Sequence, residues 1–490
     1  MHRYARLIKS ERTAAGLVAT LFTAAAVCSL GWWLSTDPCR DLQVRLPGMD
    51  GTPQDLSGGG EAVRIGEGFQ RFAVLAAAAP GSWPRFRGAD SRNVLAESTP
   101  LADSWEGGAP RLLWSVDLGE GHAGAAVWGG RGYVLDYDEE AEADALRCFS
   151  LADGVELWRR SYGVKVKRNH GMSRSIPAVG GGFAVSLGPR GHVMCVDAET
   201  GDFLWGIDLA VQYGAEIPPW YTAQCPLIDG GTAVIAPGGT ALMLGVDCRT
   251  GEVLWETPNL GGWKMSHSSI MPMTLDGIRT YVYCALGGVA AVAAEGERRG
   301  QILWATDLWS PEVAAPSPVI LEGDRIFLTA GYGAGSMLLR IERADAAAPQ
   351  PYTAAAVASY APGEALSCEQ QTPIYRDGLL YGVAPKDAGS LRNQLICFDP
   401  DRLEIVWSSG KTDRFGLGPY LAADDKLYLL SDDGVLSMID LTAGSFVLLG
   451  RADLLDGRDA WAPMALAAGR LLLRDSKRMV CVDVAERGER

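Results

Sequence analysis

Positive charge is scarce in this sequence of 490 residues: 44 Lys and Arg stand against 59 Asp and Glu, a net charge of -15. Gripping a phosphate backbone takes a basic footprint. The one short basic run, Lys165 to Arg168, reads as a solvated loop, so nucleic acid is not an expected partner. Histidine is rare too, with five in all, and none falls in an H-x-H or H-E-x-x-H spacing; C-x-x-C is also missing, so no metal site is expected. No C-x-x-C-H haem attachment occurs. Ser173, Ser266 and Ser268 lie near His170 and His267, but without a G-x-S-x-G elbow that proximity is not a hydrolytic triad.

Turn formers and apolar residues are plentiful. Gly 60, Pro 26 and 48% hydrophobic residues describe an ordered, turn-rich β protein with a large core. The chain is organised around Cys195 to Trp205, a hairpin pattern whose turn, Glu199-Thr200-Gly201, needs a positive φ at its glycine. Copies stand at 148–158 and 246–255, looser ones at 291–304, 397–407 and 438–448, and a degenerate one at 337–357. Their closing residues, Trp158, Trp205, Trp255, Trp304 and Trp407, with Trp114 standing alone, are expected to wedge between neighbouring units.

Ahead of each hairpin a proline opens a first strand, at Pro177, Pro226, Pro272, Pro318, Pro373, Pro419 and Pro463, with Ala126 in the eighth place. A tight turn then leads to a second strand. Eight four-stranded antiparallel units of this kind make an all-β, eight-bladed β-propeller, in which radial repetition hides the sheet edges. The last unit stops at Ala485, before its closing Trp. The orphan strand at Trp114 is expected to supply that missing fourth strand and so close the ring.

Upstream, residues 14–34 run without a charge, long enough for one transmembrane helix. Arg3, Arg6, Lys9 and Arg12 precede them, so residues 1–13 read as a basic cytoplasmic tail and the segment as an uncleaved signal anchor, with the propeller on the periplasmic side. A cleaved signal peptide is the competing reading, though no clear A-x-A site follows; Cys28 has Val27 where a lipoprotein wants a small residue. Residues 35–80 read as a tether, with a short helix allowed over 61–79, and 81–490 as the propeller, which opens on a plug or clasp at Trp83 to Gly88. Of ten cysteines, Cys148, Cys195, Cys397 and Cys481 hold equivalent places too far apart to bridge; pairing among Cys225, Cys284 and Cys368 stays open.

The Asp197, Thr200, Gly201 and Trp205 pattern resembles the tryptophan-docking repeat of the PQQ-binding-like propellers, over about residues 111 to 485. That superfamily includes quinoprotein alcohol dehydrogenases and BamB-type subunits of the outer-membrane assembly machinery. A working quinoprotein implies PQQ with calcium, two adjacent disulfide-linked cysteines and an Asp base. No Cys-Cys pair is present, and only Glu369 and Asp459 offer themselves as calcium ligand and base. The resemblance to BamB implies instead a binding scaffold without a cofactor, whose partner is an envelope protein or an extended peptide.

In a propeller, the loops into the first strands and those between second and third strands share one face. His122, Asn169, His170, Arg174, His192, Trp220, Tyr221, Gln224, Lys264, His267, Glu369, Gln370, Gln371, Arg414, Asp459 and Trp461 fall in such loops. They are the candidate ligand-binding residues at the channel mouth. None is assigned a catalytic role.

Overall fold

The computed structural model describes residues 2–35, 63–74, 80–95, 99–345, 348–457 and 459–486, in two units, Met1–Met49 and Asp50–Arg490. The first unit holds helix α1 (His2–Ser35). Among the described residues no helix is long and apolar enough to cross a membrane, so the expected transmembrane anchor over 14–34 is not supported.

In the second unit each repeat builds one sheet, and in the Cys195 to Trp205 repeat the hairpin turn is set by an aspartate. Asp197 Oδ1 accepts from the backbone N–H of Glu199 (2.9 Å) and Thr200 (2.8 Å), while Gly201 N–H donates back to Asp197 O (2.9 Å). Gly201 takes φ 76°, which only glycine adopts without strain. Asp247 repeats this turn with Arg249, Thr250 and Gly251. Against these turns the tryptophans dock. Trp158 Nε1 donates to Glu199 O (3.1 Å), Trp205 Nε1 to Cys248 O (2.9 Å) and Trp114 Nε1 to Leu151 O (3.0 Å), each acceptor lying in the next repeat. A Cβ at Gly201 would stand 2.6 Å from the Trp158 ring, one at Gly251 2.7 Å from Trp205 and one at Gly154 2.8 Å from Trp114. The turn glycine thus serves both backbone and dock.

Among the described residues eight sheets result, seven of four strands and one of five. Blade 1 comprises Ala125–Trp128, Arg131–Asp138, Ala143–Ser150 and Glu156–Gly163; blade 2 runs from Ala178–Gly180 to Phe203–Asp208. The pattern continues through blades 3 to 7, which begin at Leu227–Asp229, Met271–Leu275, Val319–Leu321, Ile374–Arg376 and Tyr420–Ala423. Blade 8 takes Ala465–Ala467, Arg470–Arg474 and Arg478–Asp483 from the C-terminal end and Arg111–Asp117 from the N-terminal side. The expected closure is therefore present.

The expected tether is partly structured. Residues 36–62 and 75–79 lie outside the described residues, but Gly68–Arg71 forms a fifth strand on blade 1, antiparallel to Glu156–Gly163, rather than a helix. The fifth strand covers an otherwise open edge. Arg160 fastens it, with its guanidinium 4.1 Å from the Phe69 ring and bonded to Gly66 O and Gly201 O.

Candidate functional site

Residues 83–95 cross the inner ends of the blades. Trp83 exchanges backbone bonds with Val127 of blade 1, and Pro84 O accepts from Val179 of blade 2. Arg85 donates to Ile228 O of blade 3 (2.9 Å). Arg87, almost fully buried, donates to Thr372 O (2.9 Å) and Pro373 O (2.8 Å) at blade 6, and Leu95 N to Ala422 O of blade 7 (2.8 Å). Burial lowers the Arg87 pKa to about 10. The stretch expected as a plug or clasp at 83–88 thus continues to residue 95 and ties blades 1, 2, 3, 6 and 7.

Above the plug lies a cavity of about 320 Å³ lined in part by Phe86. Every connection into a first strand contributes to its wall: His122, Arg174, Trp220, His267, Val313, Glu369, Leu417 and Trp461 come from the approaches to blades 1 to 8 in turn. Tyr332 and Lys386 reach it from the loops between second and third strands of blades 5 and 6. On the far side, a cavity of about 40 Å³ is lined by Arg87, Asp90, Pro272 and Pro318 among others. The larger cavity is the channel mouth, a cup walled by all eight approaches.

Its wall is held by a hydrogen-bond relay between blades. The N–H of Ile176 donates to Cys225 Sγ (3.2 Å), that of Cys225 to Ser269 Oγ (2.9 Å), that of Ser269 to Ser317 Oγ (2.9 Å) and that of Ser317 to Thr372 Oγ1 (2.8 Å). Each is a buried donor, and each pairing spares the cost of burying it unbonded. Cys225 is therefore an acceptor, not half of a disulfide; it, Cys284 and Cys368 are free and buried. A small hydroxyl or thiol residue directly before proline, at Cys225, Ser317 and Thr372, is the signal that could have revealed the relay.

Both buried cup histidines are held neutral. His122 Nε2 lies 3.0 Å from His170 O, and its ring is 5.1 Å from that of Trp461; burial, then Arg174 and Arg474, push its pKa down to about 3. His267 Nε2 lies 3.0 Å from Tyr221 O, and burial with Arg174 pushes it to about 4. Arg174 binds the carbonyls of Asn169 (2.9 Å) and His170 (2.6 Å) through Nη2. Burial raises the Glu369 pKa, partly offset by the N–H and charge of Lys386. Trp220 stacks on Tyr332, with centroids 6.2 Å apart and planes 16° from parallel. His170, Tyr221, Tyr332 and Asp459 hold φ between 50° and 67°, strain of the kind that clusters at sites where surrounding structure over-determines the backbone.

Of the candidates, His122, His170, Arg174, Trp220, His267, Glu369, Gln370, Gln371 and Trp461 line the cup. Gln224 is fully buried instead, bridging Ala236 N and O and reaching Tyr283. Asn169 supports the wall through Pro219 O (3.0 Å). Lys264 pairs outward with Glu216 (2.6 Å), and Arg414 donates to Lys411 O (3.2 Å) and to Arg392 O. Asp459 acts through its backbone, accepting from Trp461 N (2.7 Å). His192 packs on Tyr162 and lies 3.5 Å from Asp208, away from the lining residues. Loop position alone does not report depth. Tyr332, Lys386, Phe86, Val313 and Leu417 join the lining unforeseen.

Comparison with known proteins places this geometry. No curated protein matches the sequence. Among solved structures, BamB from Moraxella catarrhalis aligns at TM-score 0.51 and 13% identity, over 76% of this chain and 100% of that one. Quinohemoprotein alcohol dehydrogenase from Comamonas testosteroni aligns at 0.58 and 13%, over 84% and 82%. The corresponding enzyme ADHIIG from Pseudomonas putida HK5 aligns at 0.55 and 13%, over 84% and 81%. At such identities the likeness is one of fold. A family model described as outer membrane protein assembly factor BamB matches residues 141–409, more than half of the sequence and five of its repeats. The chain belongs to that family of PQQ-like propellers.

Proposed function

We propose that this propeller is a non-catalytic binding scaffold outside the cytoplasm, which holds an envelope protein or extended peptide at its cup and serves membrane-protein assembly. The observation that carries the reading is the cup itself: each of the eight blade approaches sends a side chain into one aromatic-walled recess. Among the described residues no nucleophile and base face each other there. His267 Nε2 is turned to Tyr221 O, and Ser266 Oγ to Cys284 O (2.5 Å).

The alternative reading is a quinoprotein dehydrogenase with PQQ and calcium. The donor set does not fit that pair. Among the described residues Glu369 is the single carboxylate lining the cup and no group of three or more His, Cys, Asp or Glu side chains is placed to hold a metal, and hard cations want several oxygen ligands. No redox step is derived.

A photo-crosslinking residue at Tyr332, which is 46% exposed beside the cup, tests the scaffold in intact envelopes. Adducts with a defined protein are expected. Absence of any adduct, together with saturable quenching of Trp220 and Trp461 by PQQ and calcium, would replace this reading with the enzymatic one.

A further inference from the structure

The plug decides what shape of ligand the cup admits. Phe86 lines the cup and residues 83–95 tie five blades together across the ring, so the segment stands in the path of an extended chain. A chain end needs no way through.

Charge then decides which end. On a protein of net charge -15, the cup presents a cation with no acid partner: Arg174 forms no ion pair among the described residues, and the ionisable groups that bear on its guanidinium are the phenols of Tyr221 and Tyr332, neutral at pH 7. Its Nε is buried without a partner, while Nη2 is pinned by the carbonyls of 169 and 170. With Nη2 spent on loop carbonyls and Nε shut away from solvent, Nη1 is the group left to donate to one oxygen of an anion. An N-terminal ammonium would be repelled. Around it stand apolar walls, Trp220, Trp461, Val313 and Leu417.

We propose, resting on the scaffold reading above, that the cup recognises a free polypeptide C-terminus, with the terminal carboxylate on Arg174 and an apolar last side chain between Trp220 and Trp461. The specificity is for a carboxylate on the same residue as an apolar side chain, a pairing that an internal Asp or Glu does not supply.

Two fluorescein-labelled peptides of sequence Gly-Ser-Gly-Ala-Leu-Phe, one ending in the free acid and one in the amide, test this with the full chain by fluorescence anisotropy. The acid is expected to bind at least about tenfold more tightly than the amide, the loss that follows when one partner of a charge-assisted pair is removed. R174Q, whose amide can still donate to the loop carbonyls, should bring the acid down to the level of the amide. The acid and amide comparison uses the wild-type chain, so it stands even where R174Q fails to fold. Equal binding of both peptides overturns the terminus proposal and leaves a peptide scaffold. Binding of neither, with crosslinks at Tyr332 intact, overturns it and leaves a protein scaffold. Competition by N-acetylphenylalanine at the same concentration as the peptide overturns it in favour of a small-carboxylate site.

Discussion

Trp114 stands opposite Cys481 in the antiparallel register of blade 8, and that pairing joins the two ends of the propeller. Trp114 also leaves its own blade, donating to Leu151 O of blade 1 and packing on Gly154. One side chain thus closes a sheet and docks its neighbour. Arg474 reinforces the same seam from beneath, donating to Ala123 O (2.9 Å), Leu135 O (3.2 Å) and Gly119 O (2.9 Å).

Trp114→Ala should therefore cost about 3–5 kcal/mol, as truncation of a buried Trp does. Because the seam is unique, the same change at Trp205 should cost less cooperativity: denaturant unfolding of Trp205→Ala should keep the wild-type slope, while that of Trp114→Ala should show a shallower one, marking partial opening of the ring.

The fifth strand of blade 1 gives a second expectation. A chain beginning at residue 62 retains Gly68–Arg71 and the Phe69–Arg160 contact; one beginning at residue 81 loses both. The shorter chain should melt lower, by about 2 °C or more, and its blade 1 amides over 156–163 should exchange faster. Equal melting and equal exchange would show the strand to be dispensable.

Arg87 holds the plug through four backbone carbonyls, those of Ser91, Arg92, Thr372 and Pro373. Arg87→Met keeps the stem and strands those acceptors. The loss should reach about 3 kcal/mol or more, with hydrogen exchange over 83–95 rising well before global unfolding. A variant whose plug stays protected would show that Trp83 and Leu95 suffice.

Asp144 is buried, accepts from Tyr162 Oη (2.7 Å) through one oxygen and leaves the other without a partner. Burial is the main cause that pushes its pKa up to about 7 from 3.8. The folded state therefore binds more protons than the unfolded between about pH 4 and pH 7, so this group's contribution falls as pH rises through that window and is level above it. His122 and His267, depressed below 6.5, act in the opposite sense: their contribution is present above pH 6.5 and lost as pH falls towards 4 and 3. The difference between wild type and Asp144→Asn removes the histidines from the comparison. It should shift by a few kcal/mol across pH 4 to 7 in favour of the variant at the high end; a pH-independent difference would show Asp144 charged throughout.

Much of this architecture was legible in the sequence because it is local. The Asp-x-x-Thr-Gly turn sets its own hydrogen bonds, the period of the tryptophans counts the blades, and the truncated last repeat with its orphan strand at Trp114 announces closure. The strand prolines were equally readable, since each falls at or just before a first strand, where a missing N–H is harmless. Which loop residues share the cup was decided only by the tertiary structure. Gln224 and His267 come from neighbouring approaches, yet one is spent on Ala236 and Tyr283 while the other lines the cavity. Gly68–Arg71 found an edge only once blade 1 existed, and the relay from Ile176 to Thr372 joins residues that meet only when blades stand side by side. Strand and turn patterns depend on neighbours a few residues away; depth in a ring depends on the packing of eight sheets at once.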